Sequence, residues 1–170
     1  MRERLTARVL LLDSDGRVLL MKGRLPDQPD GPSFWYSVGG GVEEGETLAQ
    51  AAAREIVEET GLTDAVLGPV VWRDEVILRD IEGEARLFRQ YYVVARSAGG
   101  DPSREGWLPH EHRLTDDMRW WTLGELQLTQ ETVHPDGMAL LLADVLAGRV
   151  AREPLLIRTP DGPVDPLPRA

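Results

Sequence analysis

The sequence contains no cysteine among its 170 residues, and it carries few cations. The lack of cysteine excludes disulfides, zinc–thiolate sites, iron–sulfur clusters and cysteine nucleophiles, and it is typical of a reducing compartment such as the cytoplasm. With 19 basic and 29 acidic side chains, the formal charge is −10. Because so acidic a chain repels a nucleic-acid backbone, and its cations are not clustered, we expect no polymeric DNA or RNA as a partner.

Long apolar runs are also missing. No run approaches the roughly 20 residues that a helix needs to cross a bilayer, so we expect no membrane partner. Residues 1–6 are charged and lead into a short apolar run that ends at Asp13, which is not the pattern of a signal peptide. The length and the 42% share of hydrophobic residues fit one domain with its own core.

The order of apolar and polar runs predicts an α/β fold. Valine- and leucine-rich runs at 7–12 and 17–21 flank an Asp-Gly turn and predict a hairpin. Further strands are expected at 34–36, 65–78, 85–96 and 118–122, and loops at 23–33 and 99–117. A capped helix is expected between Thr47 and Gly61, and an amphipathic helix at 137–148. Strands that bracket helices favour a mixed sheet with helices on both faces.

The chain divides into a domain at 1–150 and a proline-rich tail at 151–170. The tail holds five prolines from Arg152 onward. We expect it to lie on the surface or to contact a partner, and not to form a separate domain. Exposed hydrophobic strands and this tail together favour a homodimer.

The chemistry is concentrated in residues 40–62, GGVEEGETLAQAAAREIVEETGL. On a helix, Glu55, Glu58 and Glu59 occupy one arc of about 100°. Three like charges this close destabilise an isolated helix, and a divalent cation would remove their repulsion. Oxygen ligands without cysteine or histidine suit Mg²⁺ or Mn²⁺, and such an ion is the usual means of holding a diphosphate. The glycines at 39–41 let backbone atoms approach an ion or phosphate closely.

The same segment resembles the Nudix box at every position. Its seven fixed positions are Gly40, Glu46, Arg54, Glu55, Glu58, Glu59 and Gly61, and its two aliphatic positions are Ile56 and Leu62. The flanking order of expected elements, with Trp35 just upstream and Trp120 in a late strand, is also similar to this family. One departure is Val38, because family members often carry a proline before the glycine pair, and this puts the path of the loop in question.

The resemblance implies an α/β/α sandwich with a mixed β-sheet between helices. It also implies a hydrolase that cleaves a pyrophosphate linkage in a nucleoside diphosphate derivative or nucleoside triphosphate by water attack on phosphorus, with Mg²⁺ or Mn²⁺. By matching positions, Glu55 and Glu59 are the principal expected metal ligands, and the Gly40 carbonyl could add one. Glu58 resembles a further ligand or the base that activates water. Arg54 is expected to orient the acidic cluster by pairing with it.

Outside these positions, the family often uses one more acid before the late tryptophan. Asp117, three residues before Trp120, is our first choice for that catalytic acid, and Glu111 is the alternative. Glu46 is expected to support the geometry between the loop and the helix rather than to contact substrate.

Substrate contacts are assigned to aromatic and arginine side chains. Trp35 and Tyr36 are candidates for stacking on a base, with core packing as the alternative. Arg73 and Arg89 are candidates for phosphate contacts through the guanidinium fork, with surface ion pairs as the alternative. Residues 75–80 carry neither the proline often seen in ADP-ribose hydrolases nor the tyrosine of diadenosine polyphosphate hydrolases. The expected partner is therefore a small nucleotide or nucleoside diphosphate derivative of open identity.

Other functional classes compete with hydrolysis. A non-catalytic Nudix domain that binds a nucleotide or an ADP-ribose-like ligand is the main alternative, and the intact box argues against it. The isopentenyl diphosphate isomerase branch relies on a cysteine, which this chain lacks. RNA decapping would require a basic path for RNA. Zinc is not expected at His110 and His112, because a third clear ligand is missing.

Overall fold

The computed structural model describes residues 1–80 and 82–163. The strands are β1 (Arg2–Leu12), β2 (Val18–Gly23), β3 (Phe34–Gly41), β4 (Val66–Arg79), β5 (Ala85–Arg96), β6 (Thr115–Trp121), β7 (Leu155–Thr159) and β8 (Gly162–Pro163). The helices are α1 (Leu48–Thr60), α2 (Pro109–Leu114), α3 (Leu123–Leu128) and α4 (Met138–Leu146). Within these residues the strands form one eight-stranded sheet in the order β6-β2-β3-β1-β5-β4-β7-β8. The sheet is mixed, because β1 pairs with β3 antiparallel and with β5 parallel.

Helices cover both faces of this sheet because its central strands are apolar on both sides. Along β1, Val9 and Leu11 pack in a cluster with α1, whereas Leu10 and Leu12 pack in a cluster with α3 and α4. Successive strand residues point to opposite faces, so an unbroken apolar run supplies two cores. The predicted α/β fold with a mixed sheet between helices is confirmed.

Helix α1 begins and ends where the sequence indicates. The Thr47 hydroxyl accepts a hydrogen bond from the Gln50 N–H at 3.1 Å, and the Gln50 side chain accepts one from the Thr47 N–H at 2.8 Å. This capping box satisfies two backbone donors that the first turn leaves free. At the other end, Gly61 adopts the left-handed conformation, with φ of 72°, which glycine takes at little cost.

One part of the chain differs from the expected loops, and one short helix was not predicted. The segment at 109–117, which we expected within a long loop, forms α2 and the first residues of β6. The first residues of β6 lack the alternation of apolar and polar residues that indicates a strand, because Asp116 and Asp117 are both polar. Asp117 nevertheless pairs with Lys22 of β2. The short helix α3 follows Thr122, whose hydroxyl accepts from the Glu125 N–H at 3.1 Å. Our expectation of a loop over 109–117 was therefore wrong.

Part of the proline-rich tail belongs to the sheet. Strand β7 pairs parallel with β4, with Leu155 opposite Trp72 and Leu156 opposite Arg73. None of the five residues of β7 is proline, so their N–H groups can donate to a neighbouring strand. The expectation that the tail only lies on the surface is wrong for this strand. Residues 164–170 of the tail lie outside the described residues, and the domain boundary at 150 stays a prediction.

Two further observations bear on the sequence predictions. Val38, the residue that replaces the usual proline, is fully buried and pairs with Val9 in the β1–β3 ladder. It therefore continues β3 into the glycines as a core residue. No helix in the described ranges is long and apolar enough to span a membrane.

A polar network is buried beside the α3–α4 core. Asp74 is 3% exposed and accepts hydrogen bonds from the Gln90 side-chain amide at 2.9 Å and from the Tyr92 hydroxyl at 3.1 Å. Gln90 in turn accepts from the Arg8 Nε at 2.6 Å. Burial raises the pKa of the Asp74 carboxyl, and the two hydrogen bonds oppose that rise only in part.

We expect Asp74→Asn to become stabilising as the pH rises from 4 to 7. A carboxyl whose pKa is higher in the folded state stabilises the fold below its ordinary pKa, and this contribution is lost as the pH rises through the folded-state pKa. Asparagine stays neutral and can still accept from Gln90 and donate to Tyr92. Thermal unfolding at pH 4, 5.5 and 7 should show the variant's Tm rising relative to wild type.

The matched control has the opposite sign. Hydrogen bonds from the Ala98 N–H and the Ser97 hydroxyl lower the pKa of Asp64. Asp64 therefore stabilises the fold above its ordinary pKa, and Asp64→Asn should lose Tm relative to wild type over the same pH range. If the Tm difference from wild type changed with pH in the same direction for both variants, the opposite pKa shifts of Asp74 and Asp64 would be contradicted.

Candidate active site

Two glutamates of α1 are held against the glycines of β3. Glu55 and Glu59 are each 8% exposed, and Glu59 Oε2 accepts a hydrogen bond from the Gly39 N–H at 2.8 Å. The Glu55 carboxylate lies directly against Gly40, so that a Cβ at that position would overlap it. Glycine at 40 is therefore required by the close approach of a carboxylate, and it places the backbone of β3 beside both acids.

Arg54 joins the loop before α1 to the acidic side chains. Its Nη1 donates to Glu55 Oε1 at 2.8 Å and to Glu58 Oε2 at 3.0 Å. Its Nε and Nη2 donate to the two Glu46 oxygens at 2.9 and 3.1 Å, and Nη2 also reaches the Gly41 carbonyl at 2.9 Å. The hydrogen bond with Arg54 is the main cause that lowers the pKa of Glu46. One guanidinium thus contacts three carboxylates and one backbone carbonyl.

The carboxyls of Glu55 and Glu59 sit in an environment that disfavours their charge. Burial raises the pKa of Glu59 well above its ordinary value, and the Glu55 charge adds to that rise. Burial also raises the pKa of Glu55, although Arg54 opposes it. Half of the Glu58 side chain is exposed to solvent, in contrast to the buried side chains of the other two glutamates. A cation placed beside the buried pair would favour the ionised forms.

The structure separates the two acids proposed outside the box. Glu111, on α2, contributes to the raised pKa of Glu55 and of Glu59, although burial is the main cause and the Glu111 contribution is small. Asp117, on β6, lies 3.9 Å from Arg104 and accepts from the N–H of Met118. The charge of Glu111 thus acts on the buried pair, which favours the alternative acid over our first choice.

The two aromatic candidates point to opposite faces of the sheet. Tyr36 packs on the face that α1 covers, and the charges of Glu59 and Glu111 both contribute to its raised pKa, of which burial is the main cause. Trp35 is 2% exposed and belongs to the other core, where its ring meets Trp121 edge-on at 5.0 Å. Tyr36 therefore lies near the acids, whereas the stacking role of Trp35 stays a prediction without support from its position.

The two arginine candidates lie on the α1 face by their register. Arg73 is opposite Tyr91, and Arg89 is opposite Glu75. Arg89 approaches Glu75 at 3.4 Å and Glu3 at 3.3 Å, so its charge is already paired on the surface. For Arg73, no ion pair is seen within the described residues, so it is the better candidate for a phosphate contact.

The two histidines of α2 do not face a common site. His110 and His112 lie two residues apart on α2, which places them on different sides of the helix, and the His112 ring contacts Trp107 at 5.4 Å. Within residues 1–80 and 82–163, no three acidic or histidine side chains already form a set of metal ligands. Arg54 occupies one oxygen each of Glu55 and Glu58.

Trp107 is a residue of this site that the sequence did not reveal. It is 6% exposed, packs in the cluster with α1, and donates from its indole Nε1 to the Glu59 carbonyl at 2.6 Å. Trp107 lies in a polar stretch between two prolines, and this pattern predicts an exposed loop. The only sequence feature that could have indicated a buried role for this residue is that a large aromatic side chain stands alone in a polar stretch.

The fold and its relatives define a class of enzymes that act on phosphorus anhydrides. A model of the NUDIX domain matches residues 2–142, and the chain belongs to the Nudix hydrolase family. The resemblance of residues 40–62 to the Nudix box is thereby confirmed.

Relatives of known activity support this assignment. The oxidized purine nucleoside triphosphate hydrolase of Danio rerio is 33% identical over 126 residues, which cover 68% of this chain and 76% of that protein. The RNA pyrophosphohydrolase of Caulobacter vibrioides strain NA1000 / CB15N is 34% identical over 139 residues, or 75% and 74% of the two chains. The crystal structure of a MutT NUDIX hydrolase from Burkholderia pseudomallei superposes with a TM-score of 0.52 at 27% identity, over 82% of this chain and 97% of that one.

Proposed function

We propose that this protein is a divalent-metal-dependent hydrolase that cleaves the pyrophosphate linkage of a small nucleotide by water attack on phosphorus. The observation that carries the proposal is the buried pair of Glu55 and Glu59, held against Gly39 and Gly40 beside the guanidinium of Arg54. Two buried carboxylates with raised pKa values are unfavourable for the fold alone, which is typical of a functional site.

The donor chemistry fits Mg²⁺ or Mn²⁺. Glu55, Glu59 and the Gly40 carbonyl would hold the ion, with Glu58 as a further ligand, and all are hard oxygen donors of the kind these ions prefer. The Glu55 carboxylate packs directly against the Gly40 backbone. When bound, the ion would neutralise phosphate charge, polarise phosphorus and lower the pKa of a water.

The chain's own residues then act around the scissile linkage. Arg54 fixes Glu55, Glu58 and the loop carbonyl of Gly41 relative to one another. Glu58 is the most exposed of the three glutamates, so its free oxygen can accept a proton from an attacking water. Tyr36 and Arg73 lie on the same face of the sheet as α1 and are our candidates for contacts to the base and to the phosphates.

The substrate is proposed to be a small nucleoside triphosphate or a nucleoside diphosphate derivative. The relative from Danio rerio is named for an oxidized purine nucleoside triphosphate, and the dihydroneopterin triphosphate diphosphatase of Escherichia coli strain K12 is 34% identical over 110 residues. The RNA pyrophosphohydrolase relatives make 5′-triphosphorylated RNA a necessary comparison. The charge of −10 favours the small substrates. A cytoplasmic location and a homodimer stay predictions.

The test is a screen of the purified protein, with and without added Mg²⁺ or Mn²⁺. The panel contains nucleoside di- and triphosphates, sugar nucleotides, dinucleotides and 5′-triphosphorylated RNA, and released phosphate, diphosphate and nucleotide are measured. We expect hydrolysis of a small nucleotide that a chelator abolishes. Tight binding of a nucleotide without turnover under every metal condition would instead support the non-catalytic alternative.

The acid outside the box can be identified by a pair of variants. We expect Glu111→Gln to lower kcat by about tenfold or more and Asp117→Asn to lower it by less than about threefold, because general acid–base or ligand roles require proximity to the reacting groups. Glu111 influences both buried glutamates, whereas Asp117 lies beside Arg104. Steady-state kinetics on the best substrate of the screen would measure both effects. The reverse order would restore Asp117 as the catalytic acid.

A further inference from the structure

The end of α1 is covered by the segment 101–108, which we call the strap. Helix α1 has no basic residue in its last turn, and Glu58 and Glu59 stand at the negative end of its dipole. That arrangement is unfavourable, because helix C-termini attract cations and leave their last carbonyls without intrahelical partners. The strap supplies hydrogen-bond donors for these carbonyls and a cation near the end of the helix.

Strap residues contact three consecutive carbonyls of the last turn. The Ser103 N–H donates to the Thr60 carbonyl at 2.7 Å, and the Trp107 indole donates to the Glu59 carbonyl at 2.6 Å. At Gly106 the backbone passes so close to the Glu58 carbonyl that a Cβ would lie 2.5 Å from that oxygen. The backbone of both acidic residues in this turn is thus contacted directly by the strap.

Trp107 makes the strongest of these connections. Its indole is almost fully buried in the cluster that contains Ala52 and Ile56 of α1. The Arg104 guanidinium covers the ring at 5.0 Å, which brings a cation near the helix terminus. A side chain fixed by packing on both sides, with one hydrogen bond to a catalytic residue's backbone, leaves little freedom to the last turn of α1.

The strap also leads directly into α2. Glu111 follows Trp107 by four residues, and its carboxylate accepts from the Leu108 N–H at 2.6 Å, which fixes it at the start of α2. The charge of Glu111 also makes a small contribution at Glu55 and Glu59. One short segment therefore determines both where the last turn of α1 lies and where the acid of α2 stands relative to it.

We propose that Trp107 is a positioning residue for the acidic cluster, acting through the hydrogen bond from its indole Nε1 to the Glu59 carbonyl. This inference rests on the proposed function for the metal, and it adds a residue outside the Nudix box to the machinery. It assigns Trp107 no contact with substrate or with the ion. A purely structural tryptophan would affect stability but not the affinity for a dication.

The test compares Trp107→Phe with Trp120→Phe in the full-length protein. Phenylalanine keeps an aromatic ring at 107 but removes the indole donor and makes the buried ring system smaller, which is why Tm is measured alongside Mn²⁺ affinity. Trp120 is the matched control, because its Nε1 also donates to a backbone carbonyl, that of Gly100 at 2.8 Å, which does not belong to α1. Mn²⁺ binding to the metal-free protein is measured by electron paramagnetic resonance, together with Tm and, on the best nucleotide, kcat and KM.

We expect Trp107→Phe to weaken Mn²⁺ binding about fivefold and to lower kcat about tenfold with a smaller change in KM, because small displacements of catalytic groups are costly. Trp120→Phe should leave Mn²⁺ affinity within about twofold of wild type, since its indole donates to Gly100 and not to a carbonyl of α1, and one neutral hydrogen bond is a modest contribution. A Trp107→Phe protein with wild-type Mn²⁺ affinity overturns the proposal, even if its Tm falls.

Three further outcomes are also decisive. If Trp107→Phe fails to fold, Gly106→Ala displaces the strap from the Glu58 carbonyl while keeping the indole, and unchanged Mn²⁺ affinity in that variant overturns the proposal. If the wild type binds Mn²⁺ but hydrolyses nothing, the proposed hydrolase activity fails, whereas weaker Mn²⁺ binding by Trp107→Phe still supports the positioning role. A wild-type protein that binds no Mn²⁺ overturns both.

Discussion

The Glu59→Gln protein should fold and yet lose hydrolysis by about 10³-fold or more, as is typical when a principal catalytic group is removed. Glutamine keeps the size of the side chain and can still accept from the Gly39 N–H. It removes a negative charge that burial makes unfavourable, so the Tm of the metal-free variant at pH 7.5 should equal or exceed that of wild type.

Added Mg²⁺ separates loss of a ligand from loss of structure. A ligand that binds only the folded state raises Tm by mass action, so Mg²⁺ should raise the Tm of wild type but hardly that of Glu59→Gln. Glu153→Gln makes the same chemical change on an exposed side chain, and it should behave as wild type in both assays. Wild-type turnover by Glu59→Gln with Mg²⁺ would show that our assignment of the site is wrong.

Local chemistry explains what could be predicted from the sequence. Both ends of α1 are set by side-chain and backbone preferences within a few residues, namely the capping box of Thr47 and Gln50 and the left-handed Gly61. The helical spacing of the glutamates depends on nothing beyond that helix. The central strands could also be predicted from the sequence, because long runs of valine and leucine suit a sheet that is covered on both faces.

Predictions that depended on the path of a loop were less secure. Asp117 and Glu111 are equally acidic in the sequence, and only the folded structure, in which 109–114 form α2, shows that the Glu111 charge acts on the pKa values of the buried glutamates. Trp35 and Tyr36 are neighbours on a strand, so one of them had to face away from α1, but the sequence does not say which. Trp107 acts on α1 from 48 residues away along the chain.

Arg54→Lys should lower kcat by about 10²-fold while leaving most of the fold intact, since small misplacements of catalytic groups have effects of that size. Lysine keeps the charge but has one nitrogen, which cannot reach Glu46, Glu55, Glu58 and the Gly41 carbonyl together as the guanidinium does. The loop and the acids would then lose their common partner. Steady-state kinetics and thermal unfolding on the same preparation measure the two effects.

Arg149→Lys is the matched control for this prediction. Arg149 pairs with Asp144 at 2.8 Å, and its side chain is 66% exposed, so the pair contributes little to stability. This variant should keep wild-type kcat. If Arg54→Lys did the same, the fork geometry would be irrelevant to catalysis, and any cation at that position would serve. A loss confined to Arg54→Lys would instead show that the guanidinium contributes through its shape, because both variants keep the charge.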